Sequence, residues 1–397
     1  MFAKRTNWNL EENPYARAVR RHRESGRPLL DLTISNPTAC GFEYDEAAIL
    51  RALQSPATLR YEPEPKGLLS ARQAVVDYYR EKNSSAAVDP ERLILTTGTS
   101  EAYSFLFRLL CEPGEEVLVT HPSYPLVDFL AAIQDVNLRA FRLVYDHGWQ
   151  FDFTALRQAI SPRTRAVLVV HPNNPTGHFL SSEEANQLTE ICSGQNLALV
   201  VDEVFLDYSS PRVSDAKVRH GSFTAAGGEA LTFVLSGLSK ISALPQMKVG
   251  WIAATGPDAL VQQALGRLEI IADTYLSLNA TMQCALPQLL AQRLVIQPQI
   301  MRRIDTNLRQ LDQQLKGQRP ISRLKVEGGW YAILRVPAVQ SDEDLAIRVL
   351  EETSVLVHPG HFYEFADDGY FVLSLITPEG AFAEGVRRLI HGIGGAM

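Results

Sequence analysis

From residue 92 to residue 235 the chain alternates short apolar runs with helix-spaced runs, and that period constrains the fold more than any other feature. Leu93–Thr96, Glu116–Thr120, Leu138–Phe141, Thr164–Val170, Leu197–Val201 and Leu231–Leu235 read as strands. Between them Ser100–Cys111, Tyr124–Gln134 and Ser181–Ser193 carry apolar residues at helical spacing. Strand, helix, strand at this rhythm predicts an α/β fold, a three-layer arrangement with a mostly parallel sheet covered on both faces. Sheets of that kind bind ligands beyond the carboxyl ends of their strands, so the residues just past each run are the first candidates for a site.

The remainder fits around this unit. Glu11–Ser25 reads as a helix that stops at Gly26-Arg27-Pro28, and Leu29–Ile34 as a short strand. Ala47–Leu53 and Leu68–Lys82 have helical spacing, with an extended loop at 60–67 that exposes Tyr61. Ala259 to about Leu315 is helical, and Arg323–Val336 and Tyr370–Leu375 read as strands flanking a helix at Asp342–Glu352. The expected organisation is a large domain over 47–290 and a smaller α+β domain made of 1–46 and 291–397, in which the strand near Leu32 joins the sheet formed by the C-terminal strands.

With 397 residues the chain has room for two or three folding units, and its net charge of −7 argues against nucleic acid as a main partner. The basic cluster Arg20-Arg21-His22-Arg23 reads as a solvated helix face. No apolar run is long enough for a membrane span, and the first residues lack the apolar core of a signal peptide. The four cysteines, Cys40, Cys111, Cys192 and Cys284, are far apart and form no CxxC, so a reducing cytoplasm and no metal site are expected.

Four signals stand at strand ends. Thr96-Thr97-Gly98-Thr99-Ser100 is a strand, a glycine turn and a helix start, whose free amides suit an anion such as phosphate, although capping alone also explains Thr and Ser there. His171-Pro172-Asn173-Asn174-Pro175 is a rigid turn able to aim an amide into the cleft. Asp202 emerges from the apolar run Leu197–Val201 and needs a cation or strong donor opposite it; a structural salt bridge would serve equally. Lys240 follows Leu231–Leu235, and a lysine desolvated there acquires a lowered pKa and nucleophilic character, whereas a solvated loop lysine does not.

Together with the aromatic Tyr124, these residues supply what pyridoxal phosphate needs: a phosphate cradle, a stacking face, a donor to the phenolic oxygen, a carboxylate for the ring nitrogen and a Schiff-base lysine. From about Leu30 to Ser374 the chain resembles the class I/II aminotransferases of pyridoxal-phosphate fold type I, the aspartate-aminotransferase-like family. The resemblance implies that Lys240 carries the cofactor and shuttles the proton, that Asp202 holds the pyridinium, and that Asn174 donates to the phenolic oxygen. It further implies that Tyr124 stacks on the ring and that Thr99 and Ser100 bind the phosphate with Lys248. Tyr61, in Tyr-x-Pro-x-x-x-Gly, is similar to a tyrosine that reaches the neighbouring subunit's phosphate, which implies a homodimer.

Departures from the family pattern are informative. Lys248 stands where the family usually has arginine, Gly237 where it has serine, and Phe205 where it has a tyrosine that donates to the phenolic oxygen. In Phe371-Val372-Leu373-Ser374, Val372 occupies the place of the arginine that grips the substrate carboxylate, and His361 is one substitute for it. The expected function is transfer of an amino group between an amino acid, or related amine, and a 2-oxo acid. A lyase or decarboxylase on the same fold and a cofactor-binding protein of reduced activity are the alternatives. No GxGxxG, P-loop or HExxH motif is present to support a nucleotide or metal reading.

Overall fold

The computed structural model describes residues 1–82, 88–210, 219–225, 228–318 and 320–394. Its centre is an eight-stranded sheet in the order Leu93–Thr96, Gly250–Thr255, Thr232–Gly237, Ala198–Asp202, Thr164–Val170, Glu116–His121, Asn137–Tyr145, Trp149–Phe151. The five strands from Thr232–Gly237 to Asn137–Tyr145 are mutually parallel, and the anticipated helices join two of the neighbouring pairs, Leu126–Ile133 leading from Glu116–His121 to Asn137–Tyr145 and Ser182–Gly194 from Thr164–Val170 to Ala198–Asp202. The four strands from Thr232–Gly237 to Glu116–His121 bury both faces, whereas Asn137–Tyr145 leaves one face exposed. Val117, Val119, Leu168, Val200 and Leu235 belong to one core, and the intervening Leu118, Val167, Val169, Leu199, Val201 and Val234 belong to the opposite one.

Two strands of this sheet have no counterpart among those expected from the sequence. Gly250–Thr255 runs antiparallel between Leu93–Thr96 and Thr232–Gly237. The link from Gly237 to Gly250 holds only a four-residue helix and a short 3-10 turn, too little for a crossover, so the chain doubles back. Trp149–Phe151 likewise returns antiparallel on Asn137–Tyr145.

A third core gathers both ends of the chain around the sheet Ser322–Arg323, Tyr331–Arg335, Tyr370–Ser374, His358–Pro359. The N-terminal strand departs from expectation here. Leu30–Asp31 pairs in parallel with Val355–Leu356 as a separate two-stranded ladder, and its continuation meets the four-stranded sheet at Ser374, whose N–H donates to the Leu32 carbonyl at 2.7 Å and whose hydroxyl donates to the Ile34 carbonyl. Leu32 is wholly buried beneath the helix Glu379–Gly394, and that apolar anchorage selects the pairing. In the first helix, Pro14–Glu24, Arg20, Arg21 and Arg23 face solvent, but His22 does not: it lies on the buried stripe with Tyr15 and Ala18. No helix among the described residues is long and apolar enough to cross a membrane.

Candidate active site

Asp202 is the last residue of its strand and lies level with Val170 on one neighbour and Leu235 on the other. Its carboxylate is buried. Oδ2 accepts from the Tyr103 hydroxyl at 2.7 Å and Oδ1 from the Val204 N–H at 3.0 Å. Burial nevertheless pushes its pKa up to about 6, against the opposing pull of those two donors and of the Lys240 charge.

Lys240 sits in the turn of helix Leu238–Ile241, directly after the strand Thr232–Gly237. Its Nζ lies 4.5 Å from the centre of the Trp330 ring and 5.3 Å from that of Phe205. Desolvation against those rings lowers its pKa to about 8, and the charge of Asp202 limits the drop. The Lys240 carbonyl accepts from the Tyr208 hydroxyl at 2.6 Å, which fixes the turn. A buried acid and a desolvated amine therefore face one another's fields across adjacent strand ends.

Asn174 is buried on the turn after Thr164–Val170, and its side-chain Oδ1 has no partner within the protein. Such an amide calls for a ligand group. Tyr124, part-exposed past the strand Glu116–His121, has its hydroxyl pKa raised by burial and then by the Asp202 charge. Tyr331 and Tyr363 complete this wall; the Ser123 N–H donates to the Tyr363 carbonyl at 2.9 Å.

The anion turn is built on close backbone approach. Gly98, at φ 152°, caps the helix Thr99–Leu110 without a side-chain cap bond, leaving the amides at Thr99 and Ser100 for a ligand. A Cβ on Gly250 would stand 2.8 Å from the Gly98 backbone. Lys248, held in the left-handed region at φ 51°, brings its Nζ to 3.9 Å from where a Gly98 Cβ would be. The cation thus stands beside the turn despite its unusual identity. Gly237 is explained as well: a side chain there would meet the Val249 carbonyl at 2.6 Å, so a serine has no room.

Lys240, Asp202, Asn174, Tyr124, Thr99, Ser100 and Lys248 accordingly surround the carboxyl end of one sheet. Tyr61 does not join them within this chain; it is 80% exposed and lines a separate open cavity of about 820 Å³ with Arg60, Phe105 and Leu276. His361 is exposed with its ring against Phe362, while the half-buried His358 of the same loop meets the Tyr363 hydroxyl at 3.1 Å. Val372 is buried in the small sheet opposite Ile333 and His358. Sequence reasoning missed Tyr103 and Trp330. Tyr103 could have been found, because it lies one turn beyond Thr99 on the same helix face.

A mostly parallel sheet with a desolvated lysine, a buried acid and an anion turn at its carboxyl edge is an α/β fold with a nucleophilic amine set beside an anion site. Residues 29–382 match the family model for aminotransferase class I and II, and the chain belongs to that family. Glutamate-pyruvate aminotransferase AlaA of Haemophilus influenzae is 26% identical over 386 residues, spanning 95% of this chain and 93% of that protein. Alanine aminotransferase of Mycobacterium tuberculosis H37Rv is 27% identical over 374 residues, 92% of this chain and 85% of that one. Among solved structures, alanine aminotransferase from Pyrococcus furiosus superimposes with a TM-score of 0.87 at 23% identity, covering 100% of both chains. The protein is an aminotransferase, transferring an amino group between an amino acid and a 2-oxo acid.

Proposed function

We propose that this chain binds pyridoxal 5'-phosphate at the site described, with Lys240 as the attaching amine. The carrying observation is the juxtaposition of the buried Asp202 with the desolvated Lys240, with Asn174, whose side-chain Oδ1 has no partner, standing on the next strand end. The cofactor, when bound, supplies the electron sink that lets a proton leave the substrate Cα. Asp202, ionised at neutral pH, holds a proton on the ring nitrogen, and Tyr103 keeps that carboxylate aimed. Asn174 donates to the phenolic oxygen and Tyr124 covers the ring. Thr99, Ser100 and Lys248 take the phosphate, with Lys248 supplying a point charge where arginine would supply a fork.

With its pKa at about 8, Lys240 is unprotonated in roughly a tenth of molecules at pH 7, enough for its Nζ to attach and later to carry the proton. Tyr61 is assigned to a second copy's site, which makes the functional unit a homodimer; its exposure and its place on an open cavity that Lys240 does not line support this. Ile49 and Leu290 lie in one core and Phe42 and Ile296 in another, which supports a large domain over 47–290 and a small one from 1–46 and 291–397, with Leu143, Trp149, Phe205, Tyr208 and Ala243 of the large one packing into the small one's core. Four free cysteines support a reducing cytoplasm. The relatives' names make alanine and glutamate, with pyruvate, the substrates to try first.

Adding pyridoxal phosphate to the apoprotein should produce a visible band, and borohydride should fix the label on the peptide containing Lys240. An amino donor should bleach the band and a 2-oxo acid restore it. Label on another lysine, or bleaching with release of ammonia or carbon dioxide, would overturn the assignment in favour of a different attachment or a lyase.

A further inference from the structure

His178 takes no part in the chemistry described, yet it is a buried imidazole facing two carboxylates. Its Nε2 lies 3.2 Å from Glu184 Oε1, and its Nδ1 lies 3.4 Å from Glu327 Oε2, an ion-pair contact without hydrogen-bond alignment. Both acids are anchored. Glu184 closes the capping box of the helix Ser182–Gly194, accepting from the Ser181 N–H, and also accepts from the Phe151 N–H. Glu327 accepts from the Phe179 N–H at 3.0 Å and pairs with Lys325 at 3.3 Å. Two acids and Lys325 leave one negative charge to be balanced, and a protonated His178 balances it.

What the cluster joins is two walls of the active site. On one side, the Asn173 N–H donates to the His178 carbonyl at 2.9 Å, the His178 N–H donates to Thr176 Oγ1, and Thr176 Oγ1 donates to Asn173 Oδ1, so His178 closes the turn that carries Asn174. On the other side, Glu327 lies just ahead of Trp330, the ring against Lys240. The two segments touch with no slack, since a Cβ on Gly177, at φ 69°, would stand 2.5 Å from the Gly328 carbonyl.

We propose that His178 is a positioning residue, a charged clamp between Glu184 and Glu327 that fixes the Asn174 turn against the Trp330 segment and so sets where the Asn174 amide points. The role assigned to Asn174 rests on the cofactor reading above; the clamp itself does not. Burial alone would push His178 down, but the hydrogen bond to Glu184 and the close negative charges of Glu184 and Glu327 more than reverse it. His171 is the remaining titratable neighbour, and it is driven down to about 3 by burial, so it stays neutral. A histidine raised above its unfolded value contributes stability that is complete below about pH 6.5 and is lost as pH rises through the folded pKa.

The test is a cycle in His178→Gln, Asn174→Ala and the double variant, reading the pKa of the pH-dependent visible band of cofactor-loaded enzyme. Loss of the Asn174 donor should raise that pKa by about one to two units. His178→Gln should raise it by a smaller amount in the wild-type background and leave it unchanged in the Asn174→Ala background. No shift in either background, or an equal shift in both, overturns the positioning role. Should His178→Gln fail to fold, Glu327→Gln takes its place in the same cycle with the same outcomes. The clamp is read separately on apoprotein: wild type should lose thermal midpoint as pH rises above 6.5, and His178→Gln should lack that step. An identical pH profile overturns the clamp, whereas a wild-type chain that takes up no pyridoxal phosphate overturns the cofactor reading and the Asn174 role with it.

Discussion

Replacing Tyr103 by phenylalanine removes one hydroxyl from the active site, the one donating to Asp202 Oδ2 at 2.7 Å. A hydrogen bond to a charged acceptor contributes about 1.5–3 kcal/mol. At about 1.4 kcal/mol per pKa unit, its loss should raise Asp202 by about one to two units. Burial has already pushed that carboxyl up to about 6. The variant value therefore falls at roughly 7–8, and the ionised fraction at pH 7 drops from about nine tenths to between about a half and a tenth.

The sign of the stability change follows. Asp202 is an acid whose folded pKa is raised, so the native state favours its protonated form; the stability it costs is absent at low pH and grows as pH climbs from the unfolded value to the folded one. In Tyr103→Phe that growth continues for one to two units further. Thermal midpoints of the apoprotein, measured from pH 5 to pH 9, should differ little between variant and wild type near pH 5, where only a neutral hydrogen bond of about 1 kcal/mol is lost. The gap should open above pH 6 and level off by about pH 8–9. An equal deficit at every pH would show that Tyr103 acts through packing against Phe107 and not through the charge on Asp202.

The other expectations test the two departures nearest the cofactor. Phe205→Tyr should place a donor toward the phenolic oxygen and lower the pKa of the visible band by about one to two units; a spectroscopic titration without that fall refutes the placement. Lys248→Met should weaken binding of pyridoxal phosphate by roughly ten- to a hundred-fold, the worth of a hydrogen bond to a charged group, while leaving the affinity for unphosphorylated pyridoxal unchanged. Equal losses for both ligands would remove Lys248 from the phosphate turn.

The grouping of Asp202, Asn174 and Lys240 was legible in the sequence because these residues obey a positional rule. Asp202, Asn174 and Lys240 each follow an apolar strand, and a parallel sheet brings such ends together whatever the intervening helices contain. The strand Gly250–Thr255 escaped that rule, since no helix separates it from the Lys240 turn and the alternation offered no signal. Tyr103 and His178 escaped for a different reason. Tyr103 looks like one more core residue of an amphipathic helix, and its bond to Asp202 spans 99 positions in sequence. The contact of His178 with Glu327 joins a turn of the large sheet to the approach of a strand in the small one, and nothing local marks either residue as the other's partner. The burial of His22 within an arginine cluster shows the same limit, because one residue's offset around a helix decides which side chain turns inward.

The two ends of the site are fixed by unlike forces. At the end of the site assigned above to the cofactor, Asp202 and Lys240 bring charge into a desolvated cleft while Lys248 stays exposed at its edge, and the cost of burial is offset by donors such as Tyr103 and by the ligand groups these residues await. At the substrate end Val372 lies buried in the small-sheet core, and the wall facing Lys240 is made of rings and hydroxyls: Phe205, Trp330, Tyr331, Tyr363 and Tyr124. Tyr331 is tied to Ser35 and Tyr363 to His358, and burial raises both phenols, so they stay protonated donors at neutral pH. A neutral hydroxyl contributes about 0.5–1.5 kcal/mol to a carboxylate's recognition, less than the 1.5–3 kcal/mol of a charged partner. On the site assignment proposed above, discrimination among substrates is expected to fall more on the shape of an aromatic wall than on a charge pair, and the amino-transfer chemistry on residues other than Val372.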